Sequence, residues 1–205
     1  MGEARRALII ANTVYSGGLK GLNSPIRDAE EFARVLRNPQ IGGFEVETVI
    51  NQTASVINHA IEEFFIFSKP KLDDLLLLYF SGHGITDSER RLFLCAADTK
   101  LENLRIRKAT AVDSAFVDST MRESRSRRQI LILDCRHSGA FSERGYSKGD
   151  ALPPIQGYFT SPSGEGPNSS NLIKRKSAFF RTPIRFKPAR AFFLYSKCSA
   201  RSGDW

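Results

Sequence analysis

The sequence predicts an α/β domain built on a doubly wound, mostly parallel sheet with helices on both faces. One observation is that two apolar runs, Leu75–Phe80 and Ile130–Leu133, stop abruptly at small or polar residues. Runs of this length are typical of strands buried on both faces of a parallel sheet. A second is that strand-like and helix-like segments alternate along the first two thirds of the chain, which favours crossover connections. The composition, 41% hydrophobic and 25% charged, is that of a globular protein.

The individual elements follow from local patterns. Serine followed by proline at Ser24-Pro25 predicts a helix start, with Ser24 as the cap, and Asn38-Pro39 predicts its end. Thr53 or Ser55 is expected to cap the second helix, and a third helix is expected over residues 113–124. Strands are predicted at Leu8–Ala11, Phe44–Ile50, Leu75–Phe80, Arg91–Ala96 and Gln129–Asp134, with a further one within Ala191–Tyr195.

The net charge of +8 divides the chain into two parts. Residues 1–141 carry 19 Lys/Arg and 18 Asp/Glu, whereas residues 142–205 carry 11 Lys/Arg and only 4 Asp/Glu. We therefore expect a folded domain over 1–141 and a basic, Ser/Pro-rich tail over 142–205. Composition leaves open whether this tail is a linker, an insertion or the product of a truncated or frame-shifted gene.

Several classes of function are not expected. No apolar stretch reaches the roughly 18–20 residues of a membrane span, and the N-terminus lacks a signal-peptide core, so a cytoplasmic protein is expected. The three cysteines form no CxxC pair, so neither a disulfide framework nor a metal site is expected. No cofactor motif is present. The basic run Lys174–Lys176 has no aromatic residues interleaved with it, so a nucleic-acid partner is not expected either.

The chemistry is concentrated directly after the two apolar runs. Ser81–Gly84 contains His83 between two glycines, and Asp134 is followed by Cys135. Because ligands bind outside the carboxyl ends of the strands in such sheets, these residues are expected at one crevice. A cysteine and a histidine there form a candidate thiolate–imidazole pair, and the backbone N–H of Gly84 is a candidate oxyanion donor. The alternative interpretation of Ser81–Gly84 is a tight loop with an incidental histidine.

Together the two motifs resemble the caspase-like clan, specifically its bacterial caspase and metacaspase branch. The resemblance covers residues 5–141 and includes the opening strand, the Asn12–Tyr15 loop, the Ser24–Leu36 helix, the Tyr79–Gly84 motif, and the strand before His137–Phe141. The spacing also agrees, since His83 precedes Cys135 by 52 residues and a caspase histidine lies about 50 residues before its cysteine.

The resemblance implies a cysteine endopeptidase with Cys135 as nucleophile and His83 as general acid and base. It also implies that Asp28 and Asp134 bind a basic side chain, so that protein or peptide substrates are cleaved after Arg or Lys. For Asp28, stabilisation of the helix N-terminus is an equal alternative, and Asp134 can simply end its strand. Further signalling or effector domains, and a small-subunit remnant in the tail, are also implied. Some metacaspases depend on calcium, but no ligand cluster in this sequence indicates a calcium site.

The second motif departs from the family pattern at one position. Metacaspase-like proteins read Asp, then a small residue or Cys, then the nucleophile, so alignment on Asp134 and His137–Gly139 puts Arg136 at the nucleophile position. Successive side chains of an extended backbone point to opposite sides, so Cys135 would then face away from His83. Animal caspases, however, carry the nucleophile directly before an arginine, as Cys135 stands here. A catalytically impaired pseudo-peptidase that acts as a binding or regulatory module is therefore the alternative function.

Overall fold

The computed structural model describes residues 3–103 and 105–135 and, as backbone, residues 194–196. The helices are α1 (Pro25–Arg37), α2 (Ala54–Glu62) and α3 (Ser114–Glu123), with a π-helical turn at Glu63–Phe67 and a 3-10 turn at Lys108–Thr110. The strands are β1 (Arg5–Ala11), β2 (Glu45–Ile50), β3 (Leu75–Ser81), β4 (Gly84–Thr86), β5 (Leu92–Cys95), β6 (Leu101–Glu102), β7 (Arg105–Ile106), β8 (Ala111–Asp113), β9 (Arg128–Asp134) and β10 (Leu194–Ser196).

The central sheet has five strands in the order β10-β9-β3-β1-β2, and every neighbouring pair is parallel. Five of the seven residues of β1 and all seven of β3 are apolar or small, and β3 is buried along its whole length. Such strands are stable only where helices cover both faces of the sheet. The predicted α/β class and the mostly parallel sheet are confirmed.

The helices divide between the two faces of this sheet. On one face, which we call the α1 face, Phe32 and Leu36 of α1 pack on Ile9 and Tyr79. The other, the α2–α3 face, is covered by side chains of α2, α3 and the π-helical turn: Ile57, Ile61, Phe65, Val117 and Met121. Alternate residues of each strand therefore enter different cores, which is the doubly wound arrangement expected from the sequence.

A second, smaller sheet was not anticipated. The predicted strand at Arg91–Ala96 forms as β5, but it pairs antiparallel with β4 and β8 in a separate three-stranded sheet. Strands of three or four residues carry too little periodicity to be recognised individually. The first residue of this sheet is Gly84, which directly follows His83, so the sheet fixes one side of the histidine motif.

The helix starts follow the predicted positions with one correction. Pro25 is the first residue of α1, but the side chain of Ser24 makes no capping hydrogen bond, and its backbone carbonyl instead accepts from the N–H of Asp28. Ser24 has a helical backbone conformation, whereas a capping side chain requires an extended one. Thr53 does cap α2, since it is extended and its hydroxyl accepts from the Val56 N–H at 3.4 Å.

Several predictions fall outside the described residues. They concern Arg136, the His137–Phe141 segment and the tail. The one described part of the tail is the backbone of β10, which overlaps the predicted Ala191–Tyr195 run and ends one residue after it. The division at residue 141 stays a prediction for the same reason. In the described part of the chain, no helix combines the length and the apolar character needed to cross a membrane.

Candidate active site

The register of the central sheet brings the motif residues to one edge. Ala11 of β1 is level with Ser81 of β3, which in turn is level with Asp134 of β9. All three strands end at this level, so the residues that follow them begin the site. The sheet is held together here by backbone hydrogen bonds from Asn12 N–H to the Ser81 carbonyl, at 3.0 Å, and from Gly82 N–H to the Asp134 carbonyl, at 3.3 Å.

His83 is partly exposed at this edge and is held at three points. Its backbone N–H donates to the hydroxyl of Tyr15 at 3.0 Å, and its carbonyl accepts from the N–H of Cys95 at 2.9 Å. Its ring nitrogen Nε2 lies 2.8 Å from the backbone carbonyl of Lys20. Because a carbonyl oxygen only accepts, this contact assigns a proton to Nε2 and leaves Nδ1 as the proton-accepting nitrogen of the neutral ring.

The loop over residues 12–20 supplies both Tyr15 and the Lys20 carbonyl, and the ends of two other strands hold it in place. The side-chain oxygen of Asn51, directly after β2, accepts from the N–H of Thr13 at 2.8 Å. Beyond β5, the carbonyl of Ala97 accepts from the N–H of Ser16 at 2.8 Å. Gly17 lies very close to the backbone of Thr99. A Cβ atom at position 17 would lie 2.2 Å from the Thr99 carbonyl oxygen, so only glycine fits here. The geometry around His83 is therefore set by residues distant in sequence.

Gly84 is the first residue of β4, opposite Leu94 of β5. The Cys95 N–H donates to the His83 carbonyl, so His83 and Cys95 form a hydrogen-bonded position of this antiparallel ladder. Positions alternate along such a ladder, so the Gly84 N–H points away from β5, at the edge of the small sheet. A donor pointing outward is what an oxyanion site requires, and the role itself stays a prediction.

Of the two predicted acidic residues, Asp134 ends β9 and Asp28 lies in the first turn of α1. The hydroxyl of Tyr79 donates to Oδ2 of Asp134 at 3.3 Å. Burial, followed by the negative charges of Asp134 and Asp28, raises the pKa of Tyr79 above its ordinary range. Both carboxylates thus act on one buried phenol, although Asp28 belongs to α1 and Asp134 to the end of β9. Each is half-buried, as expected for groups that line a pocket.

Cys135 lies at the same edge but points into the protein. It follows Leu131 and Leu133 onto the α2–α3 face, and only 4% of its surface is exposed. Asp134, one residue earlier, lies on the opposite face with Tyr79. The structure therefore brings His83, Gly84, Asp28 and Asp134 to one edge, whereas the side chain of Cys135 packs among aliphatic groups there.

Three participants in the site are missing from the sequence-based set: Tyr15, Asn51 and the Lys20 carbonyl. Tyr15 lies in a loop that the family resemblance included, which is the only signal that pointed to it. Asn51 follows a strand and has a left-handed backbone (φ 51°), a conformation that asparagine tolerates better than most residues. Within the described ranges, no group of three or more His, Cys, Asp or Glu side chains is arranged to hold a metal ion.

Comparison with known proteins agrees with this geometry. The family model described as caspase domain, peptidase C14, matches residues 4–199 and so crosses the proposed boundary at residue 141. A search of curated proteins finds no significant match. The matched segment contains every element described above, from the first strand to the short strand beside β9. With His83 just after β3 and Asp134 at the end of the neighbouring β9 in a doubly wound sheet, this chain belongs to the caspase domain family of peptidases.

Proposed function

We propose that this caspase domain recognises Arg or Lys side chains in peptide or protein segments through Asp28 and Asp134. The observation that carries the proposal is that Tyr79 bonds Asp134 and packs on α1, the helix that carries Asp28 in its first turn. Paired carboxylates bind a guanidinium strongly because charge-assisted hydrogen bonds are short and oriented. The hydroxyl donates to Asp134 and so orients one of the two carboxylates.

One candidate use of this recognition is proteolysis. A caspase-like endopeptidase needs a thiolate that attacks the carbonyl carbon, an imidazole that protonates the leaving amine, and N–H donors for the oxyanion. Nδ1 of His83 can take the proton of the thiol and then pass it to the leaving amine, and the N–H of Gly84 suits the oxyanion. Cys135 is the thiol that the sequence offers, and the carbonyl carbon of a peptide bound at the edge would have to come within its reach.

The second candidate is a binding or regulatory module without turnover, and the placement of Cys135 favours it. A side chain that is 4% exposed and packed beside Leu133 cannot contact a bound peptide unless the strand end rearranges. The family pattern puts Arg136, not a thiol, at the nucleophile position. We therefore favour a module that retains basic-side-chain recognition and has an impaired nucleophile.

Two measurements on the full chain test these candidates. A fluorescent peptide ending in Arg and a matched peptide ending in citrulline, which keeps the length but lacks the charge, are compared by anisotropy. An arginyl halomethyl ketone is then incubated with the protein, and adducts are located by mass spectrometry. We expect binding that depends on Arg, with no adduct at Cys135.

The other outcomes are equally informative. An adduct at Cys135 that disappears in His83→Ala would establish a working cysteine peptidase and overturn the binding-module interpretation. Equal binding of the two peptides by the folded protein would contradict basic recognition by Asp28 and Asp134.

A further inference from the structure

Tyr15 contacts His83 in two independent ways. Its hydroxyl accepts the backbone N–H of His83 at 3.0 Å. Its ring lies against the imidazole, with the ring centroids 4.9 Å apart and the planes inclined by 50°. Tilted contacts at this distance are favourable between aromatic rings. One side chain therefore fixes both the backbone and the ring of the histidine.

The Tyr15 hydroxyl is itself held by the strand ends. It donates to the backbone carbonyl of Asn12 at 2.9 Å. Asn12 is fully buried, and its side-chain amide donates to the Cys95 carbonyl at 3.0 Å. The hydroxyl thus links the residue after β1 with the residue two places after β3.

The adjacent glycine leaves the space that this link requires. A Cβ at position 82 would lie 3.0 Å from the Tyr15 hydroxyl oxygen and 3.2 Å from the ring of Phe80. A methyl group there would press on the hydroxyl from the side of the His83 backbone. The glycine before the histidine therefore has a specific function, which is to admit the tyrosine.

We propose that Tyr15 is the positioning residue of His83, with its hydroxyl setting the backbone and its ring holding Nε2 against the Lys20 carbonyl. The catalytic meaning of this inference rests on the proteolytic candidate of the proposed function, since a fixed imidazole matters where His83 exchanges a proton with a substrate. Its physical content concerns His83 alone. With Nε2 held on a carbonyl, Nδ1 remains the nitrogen that accepts a proton.

The electrostatics of the hydroxyl agree with this role. Burial raises the pKa of Tyr15 above its ordinary range, so the phenol keeps its proton throughout the pH range of a folded protein. A neutral hydroxyl donates one hydrogen bond while it accepts another. Tyr15 can therefore donate to Asn12 and accept from His83 at the same time.

The test uses NMR of the full chain and requires no catalytic activity. Tyr15→Phe removes the hydroxyl and keeps the ring, whereas Tyr15→Leu removes both. In Tyr15→Phe we expect hydrogen exchange of the His83 amide to accelerate up to about tenfold, the equivalent of one lost hydrogen bond. In Tyr15→Leu we expect, in addition, a change in the imidazole ¹⁵N shifts that marks a mixture of the two tautomers.

Tyr79→Phe is the matched control, because it removes another buried tyrosine hydroxyl at the same edge, one that bonds Asp134. We expect it to leave the His83 signals unchanged. If Tyr15→Leu does not fold, Gly82→Ala replaces it and is expected to accelerate the same amide. Unchanged exchange of the His83 amide in folded Tyr15→Phe and Gly82→Ala, or unchanged imidazole ¹⁵N shifts in folded Tyr15→Leu, would overturn the inference. Failure of arginyl-peptide binding alone would overturn the proposed function and leave this result standing.

Discussion

The hydroxyl of Tyr79 lies 3.3 Å from Oδ2 of Asp134, so the last residue of β9 is bonded to a side chain of the neighbouring strand β3. The ring of Tyr79 rests against Phe32 of α1, with the ring centroids 5.0 Å apart. The same helix carries Asp28 in its first turn. A single buried tyrosine thus ties together the helix and the strand that supply the two carboxylates of the proposed pocket.

Neutralising either carboxylate should weaken the binding of a peptide that ends in Arg. A charge-assisted hydrogen bond contributes about 1.5–3 kcal/mol, so Asp28→Asn and Asp134→Asn should each raise the Kd roughly tenfold or more. Both carboxylates would contact one guanidinium, so their effects should not add in the double variant. Glu30→Gln, at an exposed position of α1, is the matched control and should leave the Kd unchanged. An equal loss in Glu30→Gln would point to a diffuse charge effect.

A thiol at position 136 should create reactivity towards an arginyl halomethyl ketone. The family pattern puts the nucleophile at position 136, whereas the thiol of Cys135 is buried. We therefore expect Arg136→Cys to form an adduct at position 136, detected by mass spectrometry. Adding Cys135→Ser to this variant should leave the adduct in place. A folded Arg136→Cys protein without an adduct would show that a missing thiol is not the cause of inactivity.

Phe65 and Phe67, two residues apart in the π-helical turn, should differ sharply in their contribution to the stability of the fold. Phe65 is fully buried on the α2–α3 face, whereas Phe67 is 60% exposed. Phe65→Ala should lower the free energy of unfolding by about 3–5 kcal/mol, because it leaves a cavity in the core. Phe67→Ala should change it by less than about 0.5 kcal/mol. Urea denaturation of both variants measures the difference, and similar losses would contradict the assigned faces.

Asp87 should make the fold sensitive to acid. Its carboxylate is 7% exposed and lies 2.8 Å from Nε of Arg91 and 2.9 Å from Nζ of Lys108. Burial alone would raise the pKa of Asp87, but hydrogen bonds from Lys108 and Arg91 outweigh it and hold the pKa well below its ordinary value. As the pH falls, Asp87 therefore becomes protonated in the unfolded chain before it does so in the folded protein. Its stabilisation of the fold is complete above about pH 4 and is lost as the pH falls further.

Asp87→Asn isolates this effect from the titration of the other carboxylates. The urea midpoints of the natural protein and the variant are compared between pH 7 and pH 3. We expect the natural protein to be the more stable at pH 7, and the gap to narrow below about pH 4. If the difference between the two urea midpoints stays constant from pH 7 to pH 3, titration of Asp87 is excluded as a cause of the acid sensitivity.

The sequence was sufficient for the central sheet because β3 and β9 are long apolar runs that end in recognisable motifs. Alternation along the strand also predicts that Asp134 and Cys135 lie on opposite faces of the sheet, as the structure shows. The Lys20 carbonyl could not be predicted in this way, because a backbone atom leaves no mark on residue type. The small sheet could not be predicted for another reason: β5 is predicted as a strand, but its partners β4 and β8 have three residues each and are too short to show a period.

The contacts around His83 join residues that are far apart along the chain. Tyr15 is 68 residues away, Lys20 is 63 residues away, and the supporting bond from Asn12 to Cys95 spans 83 residues. Contacts of such long range can form only after the intervening loops are closed, and closing them costs entropy that local contacts do not. We therefore expect the histidine environment to be among the last features of the domain to assemble. A chain whose central sheet is incomplete would carry the motif residues without the contacts that hold His83 in place.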